Sequence, residues 1–249
     1  MPDLSWLTAR PIAHRGLHDA AAGVIENTAS AFTAAIAGGY AIETDVQISA
    51  DGEAMVHHDD ALGRLTEGSE ALARMDAVTL QAVRFKATTD RILTLSELCA
   101  LVDGRTPLVI ELKSRFDGDL RLADRAADVL KTYQGPAAVM SFDPAPIVAL
   151  RNFAPEIPRG IVAERRYTHH EWDRLPAAEK FRLAHLLHAP WSRPQFLAYS
   201  VKDLPSPAPW LARHVFGLPL LTWTVRSEHD RARAARFADQ MIFEGFRPS

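Results

Sequence analysis

Short runs rich in aliphatic and β-branched residues alternate along the chain with longer stretches whose apolar positions recur at helical spacing. The runs are PIAHR (11–15), AIETDVQI (41–48), PLVIELK (107–113), AAVMSF (137–142), RGIVAE (159–164), FLAYSV (196–201), PLLTWTV (219–225) and QMIFEG (240–245). Candidate strands separated by helical patterns predict parallel pairing through crossovers. Eight of them favour closure into a TIM (β/α)8 barrel over an open doubly wound sheet. Between the first two runs, ENTASAFTAAIAGG carries the marks of a crossover helix. Asn27 or Thr28 can cap it, Phe32, Ala35 and Ile36 form its apolar stripe, and Gly38-Gly39 ends it. TLSELCALV, DLRLADRAADVLKTY and HDRARAARFADQ read the same way, whereas Pro190 and Pro194 interrupt the weaker pattern of 165–195.

One segment departs from the β/α order. ETDVQISADGEAMVHHDD has Asp51-Gly52 at its centre, the signal for a two-residue type I′ turn, and so predicts a β-hairpin excursion after the second strand. With that turn Ala50 pairs with Glu53 and the register carries His58 opposite Asp45. Directly opposed side chains share a face, and His57 then points to the other side. A bulge in either strand would exchange the two histidines.

Composition narrows the picture further. The 249 residues match the length of about 250 usual for this barrel, and no linker, repeat or low-complexity tract divides them, so one domain over 1–249 is expected. With 28 Lys+Arg against 31 Asp+Glu, a net charge of -3 gives no general attraction to nucleic acid, so any anion recognition must be local. The one cysteine, Cys99, cannot form an intrachain disulfide and reads as a core residue of its helix. No apolar stretch approaches the roughly 18 residues of a membrane span, and MPDLSWLTARPIAHRG lacks the pattern of a secretory leader. A soluble, cytoplasmic protein is the expectation, with nothing in the pattern to set its oligomeric state.

In such a barrel the reactive groups belong at the C-terminal strand ends. The first run ends in His14 and Arg15, the second carries Glu43 and Asp45, and the third carries Glu111 and Lys113. Each motif alone reads equally as a salt bridge or a solvated strand end. Their coincidence on one rim changes that, because burying several charges together costs several kcal/mol unless they pair or hold a metal. Period-two alternation puts Glu43 beside Asp45 and Glu111 beside Lys113, so three carboxylates can face one centre. An all-oxygen donor set suits one hard divalent cation, Mg2+ or Ca2+, better than zinc. With Arg15 and Lys113 as added cations, the leading substrate is a phosphate ester. Proton transfer falls to His14 and to a histidine of VHHDD, which the hairpin register makes His58.

The ordered set AHRG, ENT, IETDVQISADGEAMVHHDDALGRLTEG, LVIELK, SFDP and LTWTV resembles the glycerophosphodiester phosphodiesterases from Ala13 to Trp223. That resemblance implies a TIM barrel that hydrolyses glycerophosphodiesters to glycerol 3-phosphate and an alcohol with a divalent metal. Carried over, it implies phosphate contacts from His14, Arg15 and Lys113, metal ligation by Glu43, Asp45 and Glu111, the HD histidine at His58, and a pocket-lining Trp223. The chain departs from the family in having Arg226 where Asn is common after WTV, and FEGFRP where a Thr-Asp-x-Pro-like segment is usual. It also offers little room for a cap domain between RLTEG and ILTLSEL. Two other readings are a silent barrel that binds a phosphorylated ligand and a carbon–nitrogen metal hydrolase. A paired acid and base argues against the first. Metal sites of the second class lean on histidine ligands, unlike the carboxylates here.

Overall fold

The computed structural model of the chain describes residues 3–248. Its strands are β1 (Ile12–Ala13), β2 (Ala41–Ile48), β3 (Ala54–Val56), β4 (Leu108–Leu112), β5 (Ala137–Ser141), β6 (Arg159–Ala163), β7 (Phe196–Ser200), β8 (Leu220–Val225) and β9 (Gln240–Phe243). Leaving out β3, the order is β1-β9-β8-β7-β6-β5-β4-β2, and a β1–β2 pairing closes the ring. Every pair within the ring is parallel, which makes the fold a TIM (β/α)8 barrel, and β3 lies outside it, antiparallel to β2. All eight predicted runs are ring strands.

Alternation sorts each strand into an inward and an outward face. Ile12, Ala41, Val109, Ala138, Met140, Val162, Phe196, Ala198, Leu221 and Ile242 pack together inside the ring. Ala13, Ile42, Ile110, Val139, Ile161, Leu197, Leu220 and Phe243 belong instead to the larger cluster packed against the helices. Leu4 and Leu7, flanking and within the helix Ser5–Thr8, join the inner cluster. Gln240 at the start of β9 donates to the Thr8 carbonyl at 2.9 Å, so this helix stoppers the N-terminal end of the barrel. Inside the ring Gly160 leaves room for Phe196, since a Cβ there would lie 2.4 Å from its ring. Truncating a fully buried leucine such as Leu221 should cost about 2–5 kcal/mol through lost transfer energy and the cavity left behind.

The four predicted crossover helices form, as Ala29–Ala37, Leu95–Val102, Arg121–Leu130 and Glu228–Phe237, and the first has one of its two expected caps. Thr28 caps Ala29–Ala37, and Thr94 makes a full capping box with Glu97 at the start of Leu95–Val102, on which Cys99 is buried. Helices Pro144–Phe153 and Pro207–His214 complete crossovers that the sequence pattern did not single out. The segment 165–195 breaks into a 3-10 turn, His170–Trp172, and the short helices Ala177–Ala184 and Ala189–Ser192.

The hairpin exists, but its register differs from the predicted one. Val46 pairs with Val56, Gln47 with Met55 and Ile48 with Ala54. Ser49 N donates to Glu53 O at 2.9 Å and Gly52 N to Ser49 O at 3.2 Å, leaving a three-residue loop with Gly52 at φ 85. This is a type I turn followed by a left-handed residue, the second common hairpin closure, in place of the two-residue turn. One extra loop residue moves the register by one. His57, not His58, therefore meets Asp45 on the ladder, with His57 N donating to Asp45 O at 3.1 Å.

Candidate active site

Two residues beyond the inward apolar positions, the same face of each strand arrives at the C-terminal rim. From Ile12, Ala41 and Val109 this leads to His14, to Glu43 and then Asp45, and to Glu111 and then Lys113. From Met140, Val162, Ala198, Leu221 and Ile242 it leads to Phe142, Glu164, Ser200, Trp223 and Glu244. The residues that fill the barrel and those that cover its mouth are one alternating series. A pocket of about 400 Å³ opens there, with His14, Arg15, Glu43, His58, Glu111, Lys113 and Trp223 on its walls.

Glu43, Asp45 and Glu111 are buried, and one oxygen of each lies within 4.8 Å of the others. Asp45 and Glu111 are register partners on adjacent strands. Burial foremost, with the charges of Asp45 and Glu111 adding, drives the Glu43 carboxyl well above the usual range. Asp45 is held well below it, because Lys113, His58 and Arg15 outweigh the cost of its burial. Lys113 spans Asp45 Oδ1 at 2.9 Å and Glu111 Oε1 at 2.7 Å. Three buried carboxylates with only partial compensation form a donor set that fits one hard divalent cation.

The His-Arg-Gly turn is built by backbone conformation. Arg15 and Gly16 both have positive φ, 55 and 79, and a Cβ at Gly16 would come within 2.9 Å of Ala31. β1 therefore ends at Ala13 rather than at Arg15 as the apolar pattern predicts. The turn aims Arg15 N at Glu43 Oε2, 3.0 Å away, and sends the guanidinium to Glu26 at 2.6 Å, with Nε 3.3 Å from Asp45. Asn27, another left-handed residue at φ 57, donates to Asp45 Oδ2 at 3.0 Å and accepts from Thr44 at 2.8 Å. Burial alone would raise Glu26, but Arg64 and Arg15 hold it down at about 2.

Each candidate histidine has a carboxylate behind it. His14 Nδ1 lies 2.5 Å from Glu244 Oε2, while its Nε2 faces Glu43 at 3.9 Å. Burial lowers His14 to about 4, so it is neutral at pH 7. With Glu244 ionised, Nδ1–H donates and Nε2 keeps its lone pair. His58 Nδ1 lies 2.8 Å from Asp59 Oδ1, and Arg64 Nε donates to Asp59 Oδ2 at 2.6 Å. His58 reaches the pocket because the ladder ends at Val56 and the chain turns, with Gln47 donating to the His58 carbonyl at 2.8 Å. His57 is buried and does not line the pocket.

All eight sequence-predicted site residues lie at this rim, seven of them on the pocket wall and Asp45 beneath it. Sequence reading missed Glu244, Glu164, Phe142 and Asn27. The first three were legible as the position two beyond the last inward apolar residue of their strands. Arg226 donates from Nε to Glu244 Oε1 at 2.5 Å, which ties together the two departures noted in the sequence.

A family model described as the glycerophosphoryl diester phosphodiesterase family matches residues 14–246. A glycerophosphodiester phosphodiesterase of Caldanaerobacter subterraneus subsp. tengcongensis is 31% identical over 165 residues, which take in 61% of this chain. The match spans 65% of the length of that curated relative. Among solved structures, an Oleispira antarctica phosphodiesterase in complex with the product sn-glycerol-3-phosphate is similar at TM-score 0.74 and 22% identity, covering 96% of this chain and 94% of that one. The glycerophosphodiester phosphodiesterase of Thermotoga maritima is similar at TM-score 0.69 and 24% identity, covering 93% and 92%. At those identities the structural likeness is one of fold.

Proposed function

The chain belongs to the glycerophosphoryl diester phosphodiesterase family, and on that premise we propose that it hydrolyses glycerophosphodiesters to glycerol 3-phosphate and an alcohol. The observation that carries the reading is the meeting of Glu43, Asp45 and Glu111 with His14, Arg15, His58 and Lys113 at one barrel mouth. Glu43, Asp45 and Glu111 would hold a divalent cation, Mg2+ or Ca2+, which when bound polarises a phosphoryl oxygen. Arg15 and Lys113 keep N–H groups beyond those given to carboxylates, and these bind the non-bridging oxygens and balance developing charge.

His14 and His58 divide the proton transfers. Both turn Nδ1 toward a carboxylate and so keep Nε2 for the substrate side. One takes the proton of the attacking hydroxyl, which is water or the substrate's own glycerol 2-hydroxyl, and the other gives a proton to the departing alkoxide. Such a pair contributes a factor of about 10^2–10^4 per residue. Glu244 and Asp59 are positioning residues that fix the tautomer of each ring. Among the described residues no helix is long and apolar enough to cross a membrane.

The test is release of glycerol 3-phosphate from glycerophosphocholine with Mg2+ or Ca2+ present, after EDTA treatment, and after metal is restored. Activity that disappears with EDTA and returns with one of the two ions is expected. No release with either ion would overturn the reading.

A further inference from the structure

The segment between β3 and the helix Leu95–Val102 lies outside the barrel and has a small core of its own. Leu62, Phe85 and Ile92 from this segment pack with Met55 of β3 and with Ile25, which stands between β1 and the helix Ala29–Ala37. The cluster is separate from both layers of the barrel. It brings two charged neighbours together, Glu26 beside Ile25 and Arg64 two residues past Leu62. Leu62 N donates to Glu70 O at 2.9 Å and Gly63 N to Thr66 Oγ1 at 3.2 Å, which fixes the turn that carries Arg64.

One guanidinium there grips two carboxylates. Arg64 donates from both terminal nitrogens to Glu26, at 2.7 and 3.2 Å. It also donates to Asp59, from Nε at 2.6 Å and from Nη2 at 3.2 Å. Glu26 in turn takes Arg15 Nη1 at 2.6 Å, and Asp59 faces His58 Nδ1 at 2.8 Å. The result is an unbroken series, Arg15, Glu26, Arg64, Asp59 and His58, in which cations and carboxylates alternate up to the imidazole. Its two ends line the pocket, and the three groups between them stand behind the wall.

Arg15 belongs to the turn after β1, and His58 follows β3, which pairs with β2 alone among the strands. The ring's own hydrogen bonds therefore do not set the distance between these two side chains. An exposed ion pair adds little stability, and the Arg64 side chain is 44% exposed. A planar fork that meets each carboxylate with two N–H groups nonetheless fixes geometry in a way that a single ammonium does not. Against the cost of burial, the hydrogen bonds from His58 and Arg64 hold the Asp59 carboxyl well below its usual range, so it stays ionised for this contact.

Resting on the phosphodiesterase reading of the same pocket, we infer that Arg64 is a positioning residue that holds the phosphate anchor Arg15 and the proton-transfer group His58 at one spacing, through Glu26 on one side and Asp59 on the other. The small core around Ile25 and Leu62 is then the scaffold that delivers Arg64 to this bridge.

The experiment measures kcat and KM for glycerophosphocholine at saturating metal on folded protein. Arg64→Met is expected to lower kcat by at least about tenfold, because a displacement of about 1 Å in a reacting group can cost about 10^2 in rate. Arg64→Lys should recover only part of that loss. Glu26→Gln and Asp59→Asn are then made separately and together, with Arg64 present and in Arg64→Met. With Arg64 present either change breaks the same bridge, so the combined loss in kcat should fall short of the product of the two by at least about threefold. In Arg64→Met the two losses should simply multiply. Normal kcat in Arg64→Met, a change confined to KM, or full recovery by lysine each overturns the inference. So does a full product with Arg64 present, which decides the matter even where Arg64→Met does not fold. Hydrolysis absent from the wild type would instead overturn the phosphodiesterase reading, and the inference with it.

Discussion

His14 Nδ1 and Glu244 Oε2 stand 2.5 Å apart, joining the first and last ring strands across the seam where the barrel closes. This contact decides which ring nitrogen of His14 is left free of Glu244 at the pocket wall. Glu244 is also held by Arg226, and both lie in the segments where the chain departs from its family's usual pattern. Glu244→Gln keeps the shape but lets the amide present either an oxygen or an NH2 to Nδ1, so the tautomer is no longer fixed. We predict a kcat at least about tenfold lower with KM nearly unchanged, short of the 10^2–10^4 expected for removing the histidine itself. A change confined to KM would show that Glu244 touches substrate instead of orienting His14.

The acidic cluster gives the second prediction. Glu43, Asp45 and Glu111 share one centre, so removing any one leaves two repelling carboxylates and an incomplete donor set. Glu43→Gln, Asp45→Asn and Glu111→Gln should each lose most activity and weaken binding of Mg2+ or Ca2+ in titration calorimetry. Asp45→Asn should be the most damaging, because Asp45 also holds Lys113, Arg15 and Asn27. Unchanged metal affinity in all three variants would contradict a shared site.

Lys113 bridges two of those carboxylates, and a purely structural lysine would do the same. Its side chain is partly buried, and the net pull of Asp45 and Glu111 raises its pKa against that burial, so it stays charged. A phosphate ligand that tightens in the transition state should cost kcat when replaced, while a structural ion pair should cost stability alone. We predict that Lys113→Met lowers kcat by at least about tenfold at saturating metal. Normal kcat in folded protein would reduce it to a salt-bridge partner.

Much of this was legible in the chain because strand alternation and rim chemistry reinforce each other. Ile12 to His14, Ala41 to Glu43 and Val109 to Glu111 are each a step of two residues from barrel filling to site. The same step from Val162 to Glu164 and from Ile242 to Glu244 was equally available. It went unread because a lone glutamate at a strand end has no partner in sequence to mark it. The partners of Glu244 are His14 and Arg226, distant in the chain and adjacent only once the ring closes. The hairpin register failed for a local reason: Asp51-Gly52 serves a two-residue and a three-residue loop equally well, and Ser49 Oγ, accepting from Glu53 N at 2.8 Å, accompanies the longer one.

Glu164 offers a test that depends on pH. Its raised pKa, about 7, means that the folded chain keeps a proton there that the unfolded chain releases near the ordinary glutamate value. The stability tied to that proton is fully present below about pH 4.3 and is lost as pH rises through 7. Glu164→Gln removes the buried charge. Its melting temperature should exceed the wild type's by about 2–4 °C at pH 8, the scale of 1 kcal/mol in a chain of this size, and by much less at pH 5. A difference independent of pH would mean that folding does not raise the pKa of Glu164.

His57 and His58 separate ladder position from function. The ladder sets His57 against Asp45, yet His57 is buried away from the pocket, while His58 lies past the last ladder pair with Nδ1 on Asp59. Alternation governs side-chain direction only while the pairing lasts. Beyond Val56 the turn, held by Gln47 on the His58 carbonyl, sets it instead. His58→Ala should therefore lower kcat by at least about 10^2, the cost of losing a general acid or base, whereas His57→Ala should stay within about tenfold. His57→Ala should also destabilise the fold, since it empties a buried volume beside β2, whereas the partly exposed His58 should cost little stability. Measuring kcat at saturating metal together with the melting temperature of both variants checks the two axes at once. A kcat loss that followed the more destabilised variant would return the catalytic role to the histidine on the ladder.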